Sequence, residues 1–108
     1  MRASFRMIAG CGAFVALAAA GGAAAQNGGT AAQTQYLAAN CANCHGTDGR
    51  SAGGIPGLAG LSPDYFIMQM KAFKENARPA TIMHQLAKGY SDEQIAALAV
   101  HFSRLPAR

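Results

Sequence analysis

The sequence predicts a small all-α domain arranged round one long glycine-rich loop. Three observations predict it. No stretch alternates polar and apolar residues as a strand would. Ser62-Pro63-Asp64 and Ser91-Asp92-Glu93-Gln94 are helix starts, each followed by apolar residues at helical spacing. Between the first and second predicted helices, glycines stand at 46, 49, 53, 54, 57 and 60.

The elements follow in order along the 108 residues. Arg2 and Arg6 precede an apolar run from about Met7 to Ala20, and Ala23-Ala24-Ala25 offers an A-x-A cleavage site. Residues 1–25 therefore read as a secretory signal peptide and 26–108 as one domain. A retained membrane anchor is the competing reading, but the run is short and rich in Ala and Gly. Ile8-Ala9-Gly10-Cys11 resembles a lipoprotein box, yet most of the apolar run lies behind it, so Cys11 leaves with the signal. Gln26 to Thr30 is a linker. A helix is expected from Ala31 to about Ala42, with Thr30 as N-cap and Tyr36 and Leu37 on its apolar side. The loop from Gly46 to Leu61 is long for so small a domain, and wrapping a flat group would account for it. Ser62 caps a second helix running to about Asn76, with Tyr65, Phe66, Met70 and Phe73 on its apolar side. Arg78-Pro79 breaks it. A short turn or helix from about Thr81 to Lys88 ends at Gly89. The last helix opens at the Ser91 box, carries Ile95, Leu98, Ala99, Phe102 and Leu105, and stops at Pro106.

Charge excludes one class of function. The formal +4 includes Arg2 and Arg6; without them seven basic residues face five acidic ones, a net +2. These charges are scattered, an ordinary solvated surface rather than a nucleic-acid footprint. No stable membrane span is expected once the signal is removed.

Cys41-Ala42-Asn43-Cys44-His45 carries the chemistry. C-x-x-C-H is the attachment pattern of c-type haem. Two thiols add across the two vinyl groups and become thioethers, and the histidine that follows donates a nitrogen to iron. A C-x-x-C pair can instead be a redox dithiol or half of a zinc site. Zinc would need further ligands, and after export no third cysteine remains. A small domain of this length needs a staple, and one covalent haem c would be a large apolar one.

The second axial position decides what such an iron does. Methionine there makes a six-coordinate electron carrier, while an open face binds gases or peroxide. Met68 and Met70 lie in a predicted helix among aromatics and read as core. Met83 follows the break at Pro79, far enough downstream for the chain to return on the opposite side of the ring. His84, beside Met83, would give a bis-histidine iron instead. His101, in the last helix, reads as facing solvent or a helix partner.

Taken together, these residues resemble class I cytochromes c over nearly all of residues 26–108. The likeness covers Cys41 to His45, Ile55-Pro56-Gly57-Leu58-Ala59-Gly60, Ser62-Pro63-Asp64-Tyr65, Lys71-Ala72-Phe73-Lys74, Met83, and Tyr90 to Ile95. Within the class the chain is similar to the cytochrome c4 group, which includes the cytochrome subunits of flavocytochrome c sulfide dehydrogenases. The resemblance implies the class I fold, with helices and Gly-rich loops round one covalent haem. It implies Met83 as axial ligand and the Pro56 carbonyl as acceptor from the axial imidazole, although Pro56 by itself also reads as a plain turn residue. It implies that the first and last helices cross, with Ala32 and Tyr36 near Leu98 and Phe102. One departure stands out: the cytochrome c4 pattern has two haem domains, and this chain has one motif. The expected function is periplasmic electron transfer, not catalysis, with a flavoprotein such as sulfide dehydrogenase as donor. A free carrier serving a terminal oxidase or reductase is the alternative. A haem enzyme or gas sensor with an open distal site is a third reading.

Overall fold

The computed structural model describes residues 29–107, so the expected signal peptide and its cleavage site lie outside the described residues. Four α-helices follow one another: α1 (Ala31–His45), α2 (Pro63–Lys74), α3 (Met83–Leu86) and α4 (Asp92–Ser103). A 3₁₀ turn at Thr47–Gly49 follows α1, and another at Ala87–Gly89 follows α3. The described residues contain no strand, and no helix among them is long and apolar enough to cross a membrane.

Local sequence caps the starts of α1, α2 and α4. The Thr30 hydroxyl accepts from Gln33 N–H at 3.2 Å, and the Gln33 side chain accepts from Thr30 N–H at 2.8 Å, a reciprocal capping box. Ser91 and Gln94 do the same for α4 at 3.1 and 2.9 Å. Ser62 caps α2, with Pro63 in the first turn, where no N–H is needed. The end of α2 comes slightly before the expected Asn76. Asn76 takes a left-handed φ of 56°, while Ala77 N–H bonds Ala72 C=O and Asn76 N–H bonds Phe73 C=O. This is a Schellman stop with asparagine in place of the usual glycine. The end of α1 is later than expected: the helix runs through the whole cysteine motif and stops at Gly46, whose φ is 86°.

The core is built on α4. Ile95, Leu98, Ala99 and Phe102 are buried along one stripe, and against them pack Phe66 and Met70 of α2, Ala38 of α1 and Ala87. The Phe66 and Phe102 rings stack at 5.7 Å between centroids. The first and last helices do meet, but not through the expected residues. Thr34 and Ala38 are buried on α1, whereas Ala32 is exposed and Tyr36 is 78% exposed. Both pairs are spaced i, i+4; the smaller pair faces the core because α1 lies close to α4, where a tyrosine ring would not fit. Tyr65 is likewise on the outside of α2, with Phe66 and Met70 buried.

The long loop is pinned at both ends, which leaves its middle to reach the cysteine motif. Leu58 N–H and Ala59 N–H both bond Gly49 C=O, and Gly60 N–H bonds Phe102 C=O at 2.9 Å. Arg50 Nε donates to Pro106 C=O at 3.1 Å. Gly49 is itself buried, with φ of 73°, and a Cβ there would lie 3.0 Å from Leu58 Cβ and from the Phe102 ring. On the other side of the molecule, Lys74 ties α2 to the start of α4. Its Nζ donates to Tyr90 C=O at 2.7 Å and to Asp92 Oδ1 at 3.2 Å, and Lys71 Nζ lies 3.8 Å from Asp92 Oδ2.

Two predictions follow from this packing. Gly49→Ala combines a strained φ with crowding of Phe102, and a loss of about 2 kcal/mol or more is expected in denaturant unfolding of the holoprotein. Asp92 is the second. Lys74 and then Lys71 hold its carboxyl below the ordinary 3.8. A carboxyl depressed in the folded state stabilises above its unfolded value, and that stabilisation fades as pH falls through the folded value. Asp92→Asn should therefore be less stable than wild type at pH ~6, with the gap closing below pH ~4. Unfolding midpoints measured across that range check it; a gap independent of pH contradicts it.

Candidate haem site

The end of α1 gathers the motif on one face. Cys41, Cys44 and His45 stand at i, i+3 and i+4 of a continuous helix, so all three side chains project to the same side. Cys41 is half-buried and packs on the core, while Cys44 is exposed. The two thiols are free. Gly46 lets the chain turn away directly after His45. A Cβ at Gly46 would come 2.5 Å from Arg50 O, so the turn admits no side chain.

The His45 ring is fixed by the loop. Its Nδ1 lies 2.6 Å from the carbonyl oxygen of Pro56. A carbonyl can only accept, so the proton of the neutral ring sits on Nδ1 and the lone pair on Nε2. Among the described residues no protein group hydrogen-bonds Nε2. This is the arrangement a metal-binding imidazole requires: one nitrogen oriented and made more basic by an acceptor, the other available as donor.

The environment of Cys41 separates the possible chemistries. Burial pushes its thiol above the ordinary 9.0, with its own backbone N–H acting weakly in the other direction. A redox dithiol needs the reverse, a thiol lowered by nearby positive charge. A zinc site fits no better, because among the described residues no three His, Cys, Asp or Glu side chains gather to hold a metal ion. A half-buried, apolar thiol beside a second, exposed thiol and a free imidazole nitrogen suits covalent attachment of a large flat ring.

The remaining candidates fall in different places. Met83 opens α3 and is partly buried against the core. Met70 is buried core, and Met68 is 55% exposed on the far side of α2. His101 is half-buried, edge-on to the Phe102 ring at 5.1 Å. His84 is half-buried too, and its Nδ1 is buried without a hydrogen-bond partner. Ile55, next to Pro56, and Ile82, next to Met83, are exposed apolar residues beside the two candidate ligating segments.

Sequence reasoning assigned no role to Tyr90. Burial raises its phenol above the ordinary 10.0, the neighbouring Cys41 adds to the rise, and the Asn40 side chain opposes it. Tyr90 thus packs on the core beside Cys41, while its carbonyl takes the Lys74 ammonium. Only tertiary contact shows this, since 48 residues of chain separate Tyr90 from Cys41.

Comparison with known proteins identifies the family. The cytochrome c family matches residues 29–103. The cytochrome subunit of sulfide dehydrogenase of Chlorobaculum tepidum is 41% identical over 76 residues, covering 70% of this chain and 69% of that one. The thiosulfate dehydrogenase electron acceptor of Stutzerimonas stutzeri is 41% identical over 69 residues, covering 62% of this chain and 32% of that one. A solved structure of cytochrome c4 from Acidithiobacillus ferrooxidans superposes with a TM-score of 0.58 at 40% identity, covering 60% of this chain and 38% of its own. The chain thus spans about a third of the last two proteins. The helical fold, the motif at the end of α1 and the family match place this chain in the cytochrome c family, as a class I, cytochrome c4-like haem c protein that carries electrons.

Proposed function

We propose that residues 26–108 form an exported, single-haem electron carrier of the periplasm, released by cleavage after Ala25. In this reading Cys41 and Cys44 would form the two thioethers, and His45 Nε2 and the Met83 sulfur would hold the iron. The observation that carries it is the 2.6 Å contact of His45 Nδ1 with Pro56 C=O, at the end of a helix that also presents both cysteines.

When bound, haem c supplies a one-electron iron couple. The chain's own residues then tune and shield it. The Pro56 carbonyl holds the His45 ring in one orientation and raises its basicity. The thioether of Met83 is a soft neutral donor, which favours the reduced state and a high potential. The glycine loop would let backbone lie close to the ring without side chains in the way. Held by both His45 and Met83, the metal would pass electrons without making or breaking a substrate bond.

The donor in this reading is a flavoprotein of the sulfide dehydrogenase kind, supported by the 41% identity to the Chlorobaculum tepidum subunit. Sulfur chemistry would belong to that partner, because both cysteines of residues 26–108 would be taken up by haem. Ile55 and Ile82 are exposed apolar residues that a docked partner would bury. A free carrier to a terminal oxidase or reductase would use the same residues with a different partner.

Optical spectra of the exported protein, with and without carbon monoxide, test the ligand set. Wild type is expected to be low-spin, to show a sulfur-to-iron band when oxidised, and to resist carbon monoxide. Met83→Ala is expected to keep covalent haem, lose that band and fall in potential by on the order of 0.1 V, within the ~0.8 V that axial ligands command. Immediate carbon monoxide binding by wild type would instead indicate an open-faced enzyme or sensor.

A further inference from the structure

Resting on the reading of Met83 as iron ligand, we propose that Arg78 is a positioning residue for it: the guanidinium clamps onto α2 the start of the short strap that leads to Met83, and so limits where the Met83 sulfur can go.

Arg78 is exposed, yet one helix end holds both its backbone and its side chain. Its N–H bonds Ala72 C=O at 3.2 Å, and Ala77 N–H bonds the same oxygen at 2.8 Å. Its guanidinium lies over the Phe73 ring, 4.8 Å from the centroid. Its Nη1 donates to Gln69 Oε1. Gln69 and Phe73 are spaced i, i+4, so they share one side of α2, and a planar guanidinium can stack on one while bonding the other. Phe73 itself packs on the core, so the clamp is fastened to a fixed part of the fold. A merely solvated arginine would keep its rotamer freedom instead.

The clamp governs the chain that follows. Pro79 fixes its own φ and disfavours helical backbone at Arg78, which sets the direction in which the chain leaves α2. Among the described residues no backbone hydrogen bond involves Pro79, Ala80 or Thr81. The strap from Pro79 to Ile82 thus joins Arg78 to Met83 with little fastening of its own, in Cα steps of ~3.8 Å. So short a segment passes a shift of its start on to its end. Beyond it, Gln85 N–H and Leu86 N–H bond Ile82 C=O at 2.9 and 3.1 Å, and Met83 and Ala87 pack on the core. The strap is therefore held at its two ends, by Arg78 and by α3. Releasing Arg78 frees one end and raises the entropy gained when Met83 lets go.

The test measures carbon monoxide binding to the reduced holoprotein and the sulfur-to-iron band of the oxidised one, at one pH. Arg78→Ala is expected to bind carbon monoxide about tenfold faster than wild type, the scale of one exposed cation–π contact and one charged hydrogen bond. Arg78→Lys keeps the charge but not the fork, and is expected to bind at least about threefold faster. Thr30→Ala loses a helix cap at the opposite end of α1 from the motif and should bind at the wild-type rate. An Arg78→Lys protein that matches wild type overturns the proposal, since charge alone then suffices. Thr30→Ala speeding binding as much as Arg78→Ala also overturns it, since general loosening then explains the effect. If both Arg78 variants bind as slowly as wild type while Met83→Ala binds at once and has lost the band, Met83 is the ligand and Arg78 does not position it. If Met83→Ala keeps the band and the wild-type rate, the reading of Met83 fails and this proposal with it.

Discussion

The contact between His45 Nδ1 and the Pro56 carbonyl joins the two halves of the site. One half is helical and local: α1 carries Cys41, Cys44 and His45 on one face and ends at Gly46. The other half is a loop with no regular structure, whose position depends on where its ends are held. Gly49 and Gly60 hold those ends against Leu58 and Phe102, and the Arg50 guanidinium ties the loop to the Pro106 carbonyl. Because both ends are fixed on or beside α4, the carbonyl of Pro56 arrives at the imidazole with little freedom. The tautomer of His45, and with it the availability of Nε2, follows from that arrival.

The same economy appears in the core. A domain this small has one buried stripe, Ile95 to Phe102, and every other helix packs on it. The Phe102 ring meets Phe66, His101 and the backbone of Gly49, so the residue that closes the core also positions the loop. Core and site are therefore one mechanical unit. This suits an electron carrier, whose metal geometry should change little between oxidation states; α3, the shortest helix, packs against the same core through Met83. Both candidate distal donors sit there.

Much of this was legible in the sequence, for physical reasons. Caps are local, so Thr30, Ser62 and Ser91 mark their helices without tertiary help. The cysteine motif is likewise local, since its spacing is that of one helical face. The Gln33 half of the first capping box could have been read from T-x-x-Q in the same way. The face of α1 was not legible. Alanine is the commonest residue there, and a helix of alanines has no strong apolar side. Thr34 and Ala38, rather than Ala32 and Tyr36, face the core because of how closely α1 approaches α4, a tertiary fact. The burial of Gly49 against Phe102, the clasp of Lys74 on Tyr90 and the unpaired nitrogen of His84 are long-range consequences of the fold. No spacing rule encodes them.

The central claim is that the end of α1 holds one covalent haem, in a chain trimmed after Ala25. The intact mass of the exported protein under denaturing conditions tests it most directly. The account predicts the mass of residues 26–108 plus one haem, with no thiol left to alkylate. A mass of the polypeptide alone, with Cys41 and Cys44 both alkylated, would contradict it.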